Sequence, residues 1–211
     1  MHVGVIDLGI NNLTSVHRAF KESLEATDSL GIIDSNSTIK QPDLIILPGL
    51  GKFATGMAAL SERKLVKILK SWTKDGSKIV GICLGMQLLG TISEESVGVE
   101  GLDLMPSKIV RLPDDQNERI PHIGWAETNQ AYDSEYFPAL ATEGDFYFVH
   151  SYHLIPENDK DILTNTPFGD LNFVSSVLSK NILGVQFHPE KSGIKGKKLI
   201  SEIVKWSKNE D

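Results

Sequence analysis

The feature that most constrains this chain is a cysteine set between two glycines at the end of an apolar run, Lys78-Ile79-Val80-Gly81-Ile82-Cys83-Leu84-Gly85-Met86-Gln87. Ile79, Val80 and Ile82 read as a buried strand. Met86, Gln87, Leu88 and Leu89 read as the start of a helix. A nucleophile on a sharp strand-to-helix turn needs small residues two places to either side, because the backbone packs closely there. Gly81 and Gly85 occupy those places. Such a turn presents the sulfur to the first N–H groups of the helix, which stabilise thiolate and oxyanion charge. A lone cysteine is ordinarily a buried structural residue; the Gly-x-Cys-x-Gly frame argues instead for a reactive one.

A strand feeding a helix also predicts a fold class. Val3 to Ile6, Gly31 to Ile33 and Asp43 to Leu47 read as strands. Between them Leu13, Val16, Phe20 and Leu24 form a helical stripe, with Asn11 or Asn12 as N-cap. A long helix is expected from about Ala54 to Lys74, closed by Asp75-Gly76. This alternation implies an open, mostly parallel sheet with helices on both faces, an α/β fold. The second half adds strands at Leu104 to Leu112, Ile120 to Glu127, Asp145 to Ile155, Asn172 to Leu178 and Ile182 to Phe187. Some are expected to be antiparallel, with turns at Pro113-Asp114-Asp115 and Lys180-Asn181. An amphipathic helix carrying Leu199, Ile200, Ile203, Val204 and Trp206 ends the chain. Residues 1–211 are read as one domain, with a length that suits one sizeable core. Sites in such sheets lie beyond the carboxyl ends of the strands, so Pro48-Gly49-Leu50-Gly51 and Cys83 are expected to share one.

Near the C-terminus stands Gly184-Val185-Gln186-Phe187-His188-Pro189-Glu190-Lys191-Ser192. In an extended segment residues two apart face the same side, so His188 and Glu190 are expected to meet as base and orienter. A cysteine, a histidine and a carboxylate that converge from distant sequence follow the logic of nucleophilic acyl transfer.

Together, Gly-Ile-Cys-Leu-Gly-Met-Gln and the later Gln-Phe-His-Pro-Glu resemble the class I (triad) glutamine amidotransferases. Asp7-Leu8-Gly9 with Asn12-Leu13 and Ser15, Leu47-Pro48-Gly49-Leu50-Gly51, Pro121-His122-Ile123-Gly124-Trp125 and Phe146-Tyr147-Phe148-Val149-His150-Ser151-Tyr152 bring the resemblance to one branch of it. That branch is the glutaminase subunits of imidazole glycerol phosphate synthases. The resemblance runs from about residue 3 to the last helix. It implies that Cys83 attacks the side-chain amide of glutamine, that His188 moves the protons, and that Glu190 orients the imidazole. The N–H of Leu84 is a natural oxyanion donor, and a second is expected from the Leu50 and Gly51 backbone, where glycine permits a peptide flip. The resemblance assigns Gln87 and Glu95 to the amino end of glutamine, the backbone at Ser151 and Tyr152 to its carboxylate, and Gly49 likewise to substrate binding. It implies a (β/α)8-barrel cyclase subunit as partner, with Trp125 and Lys191 near the interface.

The chain departs from that branch where a partner should dock. Asn11 stands in Asp7-Leu8-Gly9-Ile10-Asn11-Asn12-Leu13 where a glycine is usual, Ala126 follows Trp125 where asparagine is usual, and Lys52 follows the oxyanion glycines. Asn11 and Lys52 are therefore also expected at the contact. A paralogue feeding ammonia to a sugar amidotransferase in surface-polysaccharide synthesis is the alternative. A free-standing γ-glutamyl hydrolase and a non-catalytic binding module are more distant ones.

Composition narrows the remaining classes. The net charge is −7 with no basic run, which speaks against nucleic acid as a partner. One cysteine makes no intrachain disulfide and suits a reducing cytoplasm. No apolar stretch approaches membrane-spanning length. His150 and His153 form His-x-x-His, but in a strand that spacing sets them on opposite faces and no further ligand completes a metal set, so neither metal nor cofactor is expected. His122 is expected to support the partner-facing surface, and His2 and His17 to be ordinary surface or boundary residues.

Overall fold

The computed structural model describes residues 1–10, 13–34, 40–114, 119–131 and 144–208. The expected N-cap residues Asn11 and Asn12, and Asp115 of the expected turn, lie outside the described residues.

Among the described residues nine strands form one sheet. Its parallel half runs β2 (Ser29–Ile33), β1 (His2–Ile6), β3 (Leu44–Gly49), β4 (Lys78–Cys83) and β12 (Ile182–Val185). It continues antiparallel through β11 (Leu171–Ser179), β10 (Ile162–Phe168), β7 (His122–Gln130) and β8 (Gly144–His150). A smaller sheet holds β5 (Ile92–Ser93), β6 (Ser107–Arg111) and β9 (Tyr152–Pro156).

The central strands read as continuous apolar runs because helices cover both faces. Leu44 and Ile46 of β3 and Val80 and Ile82 of β4 join Val16 and Phe20 of α1 (Leu13–Lys21) and Leu199, Ile200 and Ile203 of α5 (Gly193–Lys208) in one core. Ile45, Leu47 and Ile79, one residue out of step, face the opposite core. There they meet α2 (Phe53–Glu62), α3 (Leu65–Lys74) and α4 (Leu84–Leu88).

The expected helix from Ala54 to Lys74 is two helices, α2 and α3, parted at Lys64 with φ 59°. The apolar stripe explains the break. Phe53, Met57 and Leu60 would continue at helical spacing to Lys64 and Lys67, whereas the buried residues that follow are Leu65 and Leu69. One straight helix cannot bury both sets; a left-handed residue re-phases the stripe. The expected strand from Asp145 to Ile155 is also two, β8 and β9, which part at Ser151 and enter different sheets. Strand β10 was not expected. Its Thr164 and Thr166 are buried, and Thr164 bonds Ser175 and Ser176 at 2.9 and 2.6 Å, so a polar run sits inside.

The register places the site. Gly49 pairs with Cys83, and Ile82 with Val185. The carboxyl ends of β3, β4 and β12 therefore lie side by side, and the segments after Gly49, Cys83 and Val185 emerge together.

Candidate active site

Cys83 is the last residue of β4 and the cap of α4, with φ 54° and ψ −111°. This is a conformation an L-residue seldom adopts, as expected of a nucleophile on a strained turn. The two flanking glycines are required by contact: a Cβ on Gly81 would lie 2.6 Å from the Met86 nitrogen, and one on Gly85 would lie 1.7 Å from the Leu47 oxygen. The thiol reaches the carbonyl of Val149 at 3.7 Å and receives the Gln186 side-chain amide at 3.7 Å.

His188 and Glu190 meet, but not along a strand. Strand β12 ends at Val185, and residues 189–191 form a 3₁₀ turn that opens on Pro189. Proline fixes φ for such a turn and has no N–H to leave unpaired. The turn brings Glu190 Oε1 to 2.9 Å from His188 Nδ1, with both side chains buried. Nε2 is buried and makes no hydrogen bond of ordinary geometry. Burial works against a charged ring, but the electrostatic attraction and hydrogen bonding of the neighbouring Cys83, followed by the hydrogen bond and charge of Glu190, push the His188 pKa up to about 10.

A cleft of about 210 Å³ opens over the sulfur. Leu50, Gly51, Leu84, Gln87, Glu95, Ser151 and Tyr152 line it with Cys83. Gly49 does not. It is buried in β3 opposite Cys83, where a Cβ would come within 3.0 Å of Leu84 Cβ, so it lies behind the cleft. Gly51 has φ 103°. Gln87 spends both amide hydrogens inside the protein, on the Tyr152 carbonyl at 2.9 Å and on Gln186 Oε1 at 3.1 Å. Its carbonyl oxygen remains, the polarity an ammonium needs.

Pro121, Val149 and His150 also line the cleft and were not expected there. His150 and His153 do not sit on opposite faces of one strand, because the strand breaks between them. Both are buried against Phe173, with ring centroids 4.9 and 5.9 Å away. Burial, with the neighbouring histidines, drives the His150 pKa down to about 3, although its Nδ1 bonds the Tyr152 carbonyl at 2.9 Å. Burial likewise brings His153 down to about 4. His122 turns inward too, stacking on Phe148 at 5.1 Å and reaching His150 Nε2 at 3.3 Å. The outward face of β7 is formed instead by Ile123 and Trp125, 60% and 56% exposed. Tyr147 packs edge-on against Trp125 at 6.1 Å, and Lys191 lies over the Tyr147 ring at 5.7 Å. Alternation along β7 and β8 carried that signal in the sequence. Lys52 is exposed at the cap of α2. Asn11 lies outside the described residues. No group of three or more metal-ligating side chains gathers among the described residues, and none of their helices is long and apolar enough to cross a membrane.

The family model for glutamine amidotransferase class-I matches residues 4–205. The chain belongs to the class-I glutamine amidotransferase family. It is 39% identical over 210 residues to an imidazole glycerol phosphate synthase subunit HisH from Prochlorococcus marinus, covering 100% of this chain and 97% of that one. It is 42% identical over 199 residues to the subunit of the same name from Pyrococcus furiosus, covering 94% and 95%. A solved structure of PurLQS from Thermotoga maritima superposes with a TM-score of 0.73 over 97% of this chain and 98% of that one, at 18% identity. That likeness establishes a shared fold, and the sheet with helices on both faces is the family's.

Proposed function

We infer that this chain is the glutaminase subunit of an imidazole glycerol phosphate synthase, one amidotransferase domain that hydrolyses glutamine to glutamate and ammonia for a partner subunit in histidine biosynthesis. The observation that carries the reading is the buried His188–Glu190 pair at 2.9 Å beside a cysteine on a strained elbow, at the mouth of a cleft. The two relatives, alike over nearly the full length of both chains, favour the histidine pathway over a sugar-modifying one.

In this reading the Cys83 thiolate attacks the side-chain amide carbon of glutamine, and the carbonyl electrons move to oxygen. The Leu84 N–H and an N–H of Leu50 or Gly51 hold that oxyanion. His188, charged while Glu190 holds its other nitrogen, gives its proton to the departing ammonia and leaves a glutamyl thioester. Neutral His188 then takes a proton from water, hydroxide adds to the thioester, and collapse returns the thiolate and glutamate. Glu95 and the Gln87 oxygen receive the substrate ammonium, and backbone at Ser151 and Tyr152 its carboxylate.

Free ammonia is mostly protonated at neutral pH, so its acceptor has to sit against the glutaminase. The exposed Ile123 and Trp125, the half-buried Tyr147 and the exposed Lys191 form a mixed apolar and basic face suited to that contact. A (β/α)8-barrel cyclase is the partner this reading names, and Lys52 lies within its expected footprint. The test is direct. Cys83→Ala should abolish glutamine-dependent synthesis by the chain paired with the cyclase subunit of its own organism, while added ammonium salts still support it. Glutamine hydrolysis by purified Cys83→Ala would overturn the reading. Wild-type hydrolysis that no cyclase subunit accelerates would overturn the partner.

A further inference from the structure

We propose that Ser192 is a positioning residue that pins the main chain of His188 to β8 and so holds the imidazole between Glu190 and Cys83; this rests on the catalytic roles proposed above. The backbone N–H of His188 donates to the Tyr147 carbonyl at 2.9 Å. The Tyr147 N–H donates in turn to Ser192 Oγ at 3.0 Å. Ser192 Oγ donates to the His188 carbonyl at 2.6 Å, closing a ring of three bonds. Residue 188 is thus paired to residue 147 as one strand pairs to another, except that a hydroxyl fills the gap between the two main chains.

The gap exists because β12 has already ended at Val185 and the chain turns at Pro189. A sheet ladder no longer fixes His188, yet the imidazole has to keep one nitrogen on Glu190 and the other toward the sulfur. Ser192 is 2% exposed, and its oxygen accepts one bond and donates another. The turn it closes is rigid from below. The Ser192 N–H bonds the Pro189 carbonyl at 3.1 Å, and the Gly196 N–H bonds the Ser192 carbonyl at 3.1 Å. A Cβ on Gly196 would lie 1.9 Å from the Pro189 oxygen, so α5 packs directly on the turn that carries Glu190. Without the hydroxyl, the part-buried Tyr147 N–H has no acceptor in this ring, and the two segments have reason to shift. A displacement of about 1 Å near reacting groups can cost on the order of 100-fold in rate.

Because Cys83 is the chain's single cysteine, its alkylation by iodoacetamide reads the Cys83–His188 pair in the full-length chain without a partner. Ser192→Ala should slow alkylation at pH 7 and move its pH profile toward that of His188→Ala. Paired with its cyclase subunit, Ser192→Ala should lose roughly 10- to 100-fold in kcat for glutamine, with KM close to wild type. Ser192→Thr, which keeps the hydroxyl, should restore both, and the near-isosteric Ser192→Val should not. If Ser192→Ala does not fold, the Thr and Val pair decides. Equal kcat and equal alkylation profiles in Thr and Val, or wild-type values in Ala, overturn the proposal while leaving the triad reading intact. Should the wild-type pair fail to hydrolyse glutamine, the triad reading falls, and the alkylation profiles still judge Ser192.

Discussion

The Glu95 carboxylate accepts the backbone N–H of Phe53 at 2.7 Å, across 42 residues of sequence. Ser96 Oγ accepts the next N–H, of Ala54, at 3.2 Å. Helix α2 begins after Lys52, which supplies no side-chain cap, so its first donors are satisfied from another segment. Phe53 directly follows the Leu50-Gly51-Lys52 loop. One carboxylate therefore borders the cleft over Cys83 and also anchors the loop proposed to hold the oxyanion.

Two substitutions separate those duties. Ser96→Ala removes a cap alone and should cost about 1 kcal/mol of stability, with KM for glutamine unchanged. Glu95→Ala removes a charged cap at a helix N-terminus and should cost about 1–2 kcal/mol, with KM raised as well. Urea unfolding and initial rates measure both. A wild-type KM in Glu95→Ala would make Glu95 a cap and not a ligand.

The elbow stores strain that can be weighed. A non-glycine residue in a sparsely populated backbone region costs on the order of 1–3 kcal/mol, and Cys83 holds φ 54° and ψ −111°. Cys83→Gly should therefore be more stable than Cys83→Ala by about 1 kcal/mol, and so unfold at a higher denaturant midpoint, with both inactive toward glutamine. Equal midpoints would show that the turn carries no strain.

The parallel half of the fold was legible because burial on both faces leaves unbroken apolar runs such as Leu44 to Leu47, and the elbow because glycines must flank it. The antiparallel half was less so. β10 buries Thr166 and also Thr164, whose hydroxyl is paired to serines of β11, so its sequence reads as polar. Ser151 ends β8 without a glycine or proline to announce it. The Cys83 and His188–Glu190 segments stood out as local motifs, although the His188–Glu190 contact comes from a turn and not from an extended strand. The Glu95 cap, the inward His150 and the Ser192 ring had no local signal. Each is defined by hydrogen bonds or packing between segments that only the folded chain brings together.

The base and its orienter should fail unequally. His188→Ala removes the group that moves every proton and should nearly abolish hydrolysis in the presence of partner. Glu190→Gln keeps an oxygen for Nδ1 but loses the charge that helps raise the His188 pKa toward 10. Its loss in kcat should be roughly 10- to 100-fold smaller than that of His188→Ala, and its alkylation profile at Cys83 should lose part of the stabilised ion pair. Wild-type turnover in His188→Ala would show the triad to be misassigned.

Stability should fall in mild acid because His150 and His153 fold as neutral rings. Burial brings their pKa values down to about 3 and about 4, against about 6.5 in an unfolded chain. Below that value the unfolded chain binds protons that the folded one does not, so stability is full above pH 6.5 and declines as pH drops toward the folded values. Each group adds a slope of about 1.4 kcal/mol per pH unit across most of that window. Carboxylates that titrate near pH 4 overlap the lower end, so the comparison has to be differential. His153 is the better probe, since its Nδ1 is buried without a hydrogen-bond partner in the protein, and an apolar replacement leaves no orphan. His153→Leu should retain its stability at pH 7 and show a mean slope between pH 6.5 and 5 shallower by about 1 kcal/mol per unit in urea unfolding. A slope equal to wild type would mean that His153 takes up its proton within the folded state.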